Sequence, residues 1–312
     1  MQKTFYSNGK LLITAEYVVL DGAKALALPT KFGQYLTIEK TKSNVIEWQS
    51  FDFNKTIWFS TEINLLEIIT NFSKKTDGVS KKLVEILHHA NALNSEVFKN
   101  FEGLKVTTEL TFPRKWGLGT SSTLLNNIAQ WFEIDAFELL NKSFGGSGYD
   151  IACAKVDQPI LYSLQNNKPI IDIINFRPSF SDKLYFVYLN KKQNSTQAIA
   201  NYRTLNFDKN AAVDFISKIT HQIIQDNLKF DEFCALLKLH EKTLSEVLNL
   251  PTVHQQLFSD FDGVIKSLGA WGGDFVLVAS NDNPANYFLS NGYETILSFK
   301  EMILTGNDFV NL

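Results

Sequence analysis

A mixed α and β chain with room for two domains is what three stretches of this sequence predict. Residues 4–40 alternate short apolar runs with Gly and Pro (TFY, KLLIT, YVVL, ALALP and YLTIE), the pattern of consecutive strands in a twisted antiparallel sheet. An alternating apolar segment, Leu104 to Leu110, runs into FPRKWGLGTSST, and a helix-like SSTLLNNIAQWF leaves it, so Gly117 and Gly119 fall at a strand-to-helix turn. Helical patterns at about 211–226, 230–248 and 253–268 lead to a Gly-rich turn and an apolar strand, KSLGAWGGDFVLVAS.

Composition narrows the function. At 312 residues, 45% hydrophobic and 20% charged, the chain can bury a large core. A formal charge of -3 gives no basic field for general nucleic-acid or membrane-surface binding, so small-molecule partners are expected. Cys153 and Cys234 make no disulfide framework or metal-ligand spacing, which fits a reduced cytoplasm. No apolar run reaches membrane-spanning length, and Asn8, Lys10 and Glu16 interrupt any leader-like core at the N-terminus.

The remaining elements follow in order. VIEWQSFDF and TIWFSTEI, within residues 45–62, read as an aromatic-rich hairpin. Val79 to Leu93 has helical spacing, with His88 and His89 as a surface pair. A short helix at about Asp135 to Asn141 precedes FGGSGYDIACAK, where Gly145, Gly146 and Gly148 make a tight loop delivering Asp150 to a new helix. Residues 158–175 read as strands, RPSFSD as a linker, and KLYFVYLN as the strand that opens the second half. KKQNSTQAIANYR then leads into a helix, and residues 284–312 supply a short helix, ETILSF and the tail.

The turn at Gly117 to Ser122 is where an anion would bind. Glycines let a backbone approach a ligand, Thr120, Ser121 and Ser122 offer oxygens, and the first helical turn leaves N–H groups unpaired at the positive end of its dipole. A turn with a plain Ser or Thr N-cap accounts for the same residues equally well. It is not a Walker A loop, because no Lys follows the second Gly.

Three segments in chain order resemble the motifs of the GHMP kinases (galactokinase, homoserine kinase, mevalonate kinase, phosphomevalonate kinase). SNGKLLITAEYVVLDG is similar to the first motif through Gly9, Lys10, Leu12, Glu16, Tyr17, Val19, Leu20 and Gly22, with Asn8 for Pro and Ala15 for Gly. Pro113, Gly117, Leu118, Gly119 and Ser121 match the second motif, P-x3-G-L-G-S-S-A, with Thr120 for its first Ser. Lys266, Gly269, Ala270, Gly272, Gly273 and Asp274 match the third, with Trp271 for a glycine. Taken alone, Lys10 and Glu16 would read as an exposed strand pair, and Asp150 as an acid favoured by a helix dipole.

The resemblance implies a two-domain α+β GHMP kinase fold: an N-terminal ribosomal-S5-domain-2-like domain (1–176) and a C-terminal ferredoxin-like α/β sandwich (177–312). It implies an ATP- and Mg2+-dependent kinase, with Lys10 and Asp150 catalytic and Gly117, Leu118, Gly119, Thr120, Ser121, Ser122, Gly272 and Gly273 around the nucleotide. Ser121 would be the protein's ligand to the metal. GSGYDIA is closest to the phosphomevalonate-kinase form, so the expected acceptor is mevalonate or phosphomevalonate, an anionic or polar alcohol, taken up by a monomer or homodimer. With three arginines (Arg114, Arg177, Arg203), a phosphorylated acceptor would rely on lysines such as Lys191 and Lys192, near Ser195 and Thr196. The Mg-binding Glu of mevalonate kinases has no convincing counterpart, Glu133 and Glu138 being the nearest carboxylates. That departure keeps two alternatives open, a non-catalytic nucleotide- or metabolite-binding protein and a kinase for homoserine or a sugar.

Overall fold

The computed structural model describes residues 2–72 and 77–306 of the chain. Two long strands dominate its start, β1 (Gln2–Leu12) and β2 (Ala25–Lys40), which pair with each other. This corrects the expectation of five short strands. Gly33 does not break β2, because the Tyr6 ring and the Ser7 carbonyl lie where its Cβ would be, so glycine there serves close packing. The YVVL run is a 3-10 turn (Val18–Asp21) framed by positive φ at Tyr17 (65°) and Gly22 (101°).

Two compact units divide the chain in interleaved segments. One takes residues up to Gly9, Phe32–Arg114 and Leu118–Lys155; the other takes Lys10–Lys31, Lys115–Gly117 and the chain from Val156 onward. In the first unit β3 (Ile46–Phe51) and β4 (Ile57–Ile63) form the expected hairpin. α1 (Leu65–Thr70) and α2 (Gly78–Leu93) follow, and then β5 (Leu104–Leu110). The strand order β4-β3-β5-β2 includes one parallel pair, β3 with β5. Strict alternation of buried and half-buried residues along β5 turns Leu104, Val106, Thr108 and Leu110 to the core.

Behind that sheet lie α3 (Thr120–Phe132), α4 (Ala136–Ser143) and α5 (Tyr149–Ala154). Leu36, Trp48, Val106, Leu87, Ile128 and Leu139 belong to one buried cluster joining strands to helices. Asp135 caps α4 by accepting from the Phe137 N–H.

In the second unit β6 (Ile160–Gln165) and β7 (Lys168–Ile173) form a hairpin whose turn residues, Asn166 and Asn167, both have positive φ, as a tight primed turn needs. The start of β2 pairs with β6. β8 (Leu184–Tyr188) precedes α6 (Ser195–Arg203), α7 (Lys209–Ile223) and α8 (Phe230–Leu248). α9 (Val253–Leu257) is short, and β9 (Val264–Ser267) occupies the rest of the segment expected to be helix. The helix stops at Phe258 and the chain turns at Gly263, so the apolar run Val264-Ile265 lies in a strand with both residues buried. β10 (Phe275–Ala279), α10 (Ala285–Ser290), β11 (Ile296–Ser298) and α11 (Phe299–Met302) complete the chain to residue 306. The antiparallel order β11-β8-β10-β9 gives the second unit a four-stranded sheet of its own. The last six residues of the expected tail lie outside the described residues.

Candidate functional site

In the first unit α3 opens on Gly119 (φ 94°), whose lack of a side chain leaves the first-turn N–H groups without a side-chain cap. The hydroxyls that follow divide into two sets. Ser122 Oγ donates to the Gly119 carbonyl at 2.9 Å, and Thr123 Oγ1 donates to Gln34 Oε1 at 2.7 Å, so both are committed to the protein. Ser121 is exposed, and Thr120 and Leu118 are half-buried and buried respectively. Of the expected oxygens, then, Ser122 shapes the turn while Ser121 faces outward.

The seating of α3 is polar as well as apolar. Asn127 accepts from Ser7 Oγ (2.7 Å) and donates to the Gln34 carbonyl (2.9 Å), and Asn126 donates to Ser7 Oγ (2.9 Å) and to Ala154 O (3.3 Å). Buried amides of this kind fix register and depth, because each would be left unsatisfied by a slip of the helix. The bond to Ala154 ties α3 to α5, the helix that carries Asp150. Gly148 (φ 83°) starts α5, again without a side-chain cap, and Asp150 is half-buried in its first turn. Glu133 lies at the far end of α3, and a rise of 1.5 Å per residue puts it about 18 Å along the helix from Ser121.

In the second unit Lys10, half-buried on β1, donates from Nζ to the Gly117 carbonyl at 3.2 Å. Gly117 has φ 70°. Its neighbours are pinned: Tyr188 OH donates to Lys115 O (3.1 Å), and the Trp116 ring packs 5.5 Å from that of Phe275. The third motif follows β9. Gly269 and Gly272 have φ of 71° and 76°, and a Cβ on Gly273 would lie 2.1 Å from Gln193 Cγ. Trp271 does not narrow this turn with its ring. The indole is buried, its Nε1 donates to Pro251 O (3.0 Å), and its backbone N–H donates to Tyr17 OH (2.8 Å).

Glu16 is the largest departure from the residue-level expectation. It is 1% exposed, with Oε1 accepting from Lys266 Nζ at 2.6 Å. Lys266, 0% exposed, also lies 3.7 Å from Glu241 Oε2. Glu241 accepts from Ser267 Oγ (2.7 Å) and from its backbone N–H (3.2 Å). Burial pushes the Glu16 carboxyl up to about 7 even though Lys266 pulls it back, and raises Glu241 as well. His240 Nε2 accepts from the Ala15 N–H at 2.8 Å, which places the ring proton on Nδ1. Burial, with Lys266 second, keeps this imidazole neutral by pushing its pKa well below the usual value.

The cluster holds an uncomfortable backbone. Ala15 and Tyr17 have φ of 67° and 65°, the left-handed region that costs about 1–2 kcal/mol for a residue with a Cβ. A glycine in the corresponding place of the GHMP first motif would carry no such cost. No motif in the sequence marks His240 and Glu241. Their signal was a His-Glu pair on the stripe Phe233, Leu237, Leu244, Leu248, the buried face of α8.

No protein-family model matches the chain, and no curated protein matches it in sequence. Its structure matches solved ones over nearly their whole lengths. Phosphomevalonate kinase of Streptococcus pneumoniae, solved with phosphomevalonate and AMPPNP, superposes with a TM-score of 0.72 at 16% identity, covering 95% of this chain and 99% of that one. For mevalonate kinase of Methanococcus jannaschii the values are 0.70, 16%, 98% and 99%, and for Lactococcus lactis galactokinase, solved with galactose, 0.70, 13%, 98% and 94%.

Proposed function

We propose that this chain, which has the fold of the GHMP kinases, is an ATP- and magnesium-dependent kinase that phosphorylates a small alcohol or phosphate acceptor of the mevalonate branch. The observation that carries the reading is the opening of α3: a glycine N-cap that leaves the first turn without a side-chain cap, and one outward serine beside two hydroxyls spent on the turn. That donor set suits phosphate. It also suits magnesium, which keeps several waters and binds chiefly through the nucleotide's own phosphates. Ser121 would be the protein's contribution to the metal.

Bound ATP and its metal would supply the phosphoryl group and neutralise its charge. The loop from Gly117 to Ser122 would hold the phosphates, with Gly272 and Gly273 bordering the nucleotide. Lys10 would place positive charge beside the oxygens of the group in transit. Asp150 would accept a hydrogen bond from the acceptor hydroxyl, orient it, and take its proton as the new bond forms. In a loose transition state that proton leaves late, so the role of Asp150 would be weighted toward orientation.

ADP release measured against mevalonate, phosphomevalonate, homoserine, galactose and a buffer blank tests the reading. One acceptor should exceed the blank, and Asp150→Asn should cut that turnover by on the order of a hundredfold or more while ATP-Mg still binds. Ser121→Ala should weaken turnover and shift the Mg titration. Undiminished turnover in Asp150→Asn would remove the base assignment. The position of Glu133, a helix length from Ser121, favours a second reading, a protein that binds nucleotide without turning it over. Such a protein would gain thermal stability with ATP-Mg yet yield no ADP with any acceptor.

A further inference from the structure

Asp274 sits immediately before β10 in a conformation that needs explaining. Its φ is 54°, where side-chain-bearing residues are uncommon. The backbone is held there from both sides: its N–H donates to Lys191 O at 2.7 Å and its carbonyl accepts from the Leu189 N–H at 2.8 Å. Held so, the carboxylate accepts from the Gln193 N–H at 3.3 Å and lies against the bare α-carbon of Gly117. A methyl group built at Gly117 would stand 2.3 Å from both Cγ and Oδ2 of Asp274, a separation no real contact shows. The carbonyl of that same Gly117 receives Lys10 Nζ. One glycine is therefore gripped by an anion on its α-carbon and a cation on its carbonyl, all within one compact unit.

We propose that Asp274 is a positioning residue: its carboxylate, seated on Gly117, keeps the amine of Lys10 at the Gly117 carbonyl and so fixes both ends of the phosphate loop's entry. The third motif then contributes a charge as well as a loop shape. Burial pushes the Asp274 carboxyl up, and Lys10 is the leading group that pulls it back, followed by the Gln193 N–H and Lys192. Those two lysines are thus the cations the carboxylate feels, and Lys10 reaches Gly117 as well. Asp274 need not touch a substrate for this; it acts through Lys10. The consequence for turnover rests on the kinase reading, whereas the clamp on Lys10 does not.

Asp274→Asn is the informative variant, because Asn tolerates positive φ, keeps an oxygen for the Gln193 N–H and removes only the charge. Labelling by a limiting amine-acylating reagent, mapped by peptide mass spectrometry, reads the clamp without any catalysis. Lys10 should react several-fold faster in Asp274→Asn than in the wild type, and the exposed Lys168 should not change. Gly117→Ala, which forces the carboxylate away, should expose Lys10 in the same way. An unchanged Lys10 rate in both variants overturns the proposal. In the kinase assay Asp274→Asn should lower kcat about tenfold with little change in the KM for ATP, and should add nothing to Lys10→Met. Additive losses in the double variant overturn the action through Lys10. Faster Lys10 labelling in Asp274→Asn, together with a wild type that forms no product with any acceptor, would sustain the clamp and refute the kinase.

Discussion

Replacing Lys266 by Met tests the buried charge cluster of the second unit. The change keeps the length of the side chain but leaves Glu16 and Glu241 in the interior with no cation. Glu241 retains the Ser267 N–H and hydroxyl, whereas Glu16 loses its 2.6 Å partner, and its other oxygen, Oε2, is already without a hydrogen bond. Removing one member of a buried ion pair costs about 3–5 kcal/mol. For cooperative unfolding of a chain of 312 residues, that lowers Tm by roughly 5–8 °C. The loss should depend on pH, with a definite sign. Burial holds the Glu16 carboxyl at about 7 in the folded protein against 4.5 as its ordinary value, so its stabilising share is complete below 4.5 and disappears as pH rises through about 7. Without Lys266 that upper limit moves higher. At pH 6 Glu16 is then mostly the neutral acid in both proteins, while above pH 7 only the wild type carries it ionised beside its cation, so the deficit grows by about 1.4 kcal/mol per pH unit from there. Calorimetric melts of both proteins at pH 6 and pH 8 decide the matter; equal deficits at the two, or none at pH 8, would refute the assignment of Glu16 as a buried acid held by Lys266.

Two further outcomes follow from backbone and core. Trp271→Ala should destabilise the fold by about 3–5 kcal/mol, because the indole is buried and bonded to Pro251 O, while nucleotide affinity in the folded fraction stays close to wild type. An unchanged melt with lost nucleotide binding would instead make Trp271 part of the site. Ala15→Val should cost at least 1 kcal/mol or so in a denaturant melt, since a β-branched side chain tolerates φ of 67° worse than Ala; a neutral result would mean that this backbone relaxes freely.

Local pattern made much of this structure legible in advance. β5 runs from Leu104 to Leu110 as its alternation predicts, α3 ends at Phe132, and Asp150 enters a helix behind Gly148, because in each case periodicity and a glycine or an Asp cap point the same way. Where a long-range contact decided, pattern failed. Gly33 reads as a break but is a place where two strands come close, and Val264-Ile265 reads as a continued helix but joins a sheet through its partners in β10. Glu16 reads as a surface acid because its cation, Lys266, and its imidazole neighbour, His240, lie more than two hundred positions away. Spacing could not reveal that the Ser122 hydroxyl turns back to Gly119 while Ser121 does not, since that depends on rotamers.

The interleaving of the two units has a consequence for the order in which a ribosome would complete them. Residues 32–114 and 118–155, with the first nine, can gather as soon as they emerge, but Lys10–Lys31 belong with a body that begins at Val156. Glu16 waits for a lysine 250 positions downstream, which at 5–20 residues per second is a delay of roughly 12–50 s. Throughout that interval this segment of the second unit, with its acid and the apolar Val18 and Val19, all buried in the finished fold, stays in water. A nascent chain stalled short of Lys266 would expose that segment to a protease, and one stalled beyond Leu304 would not.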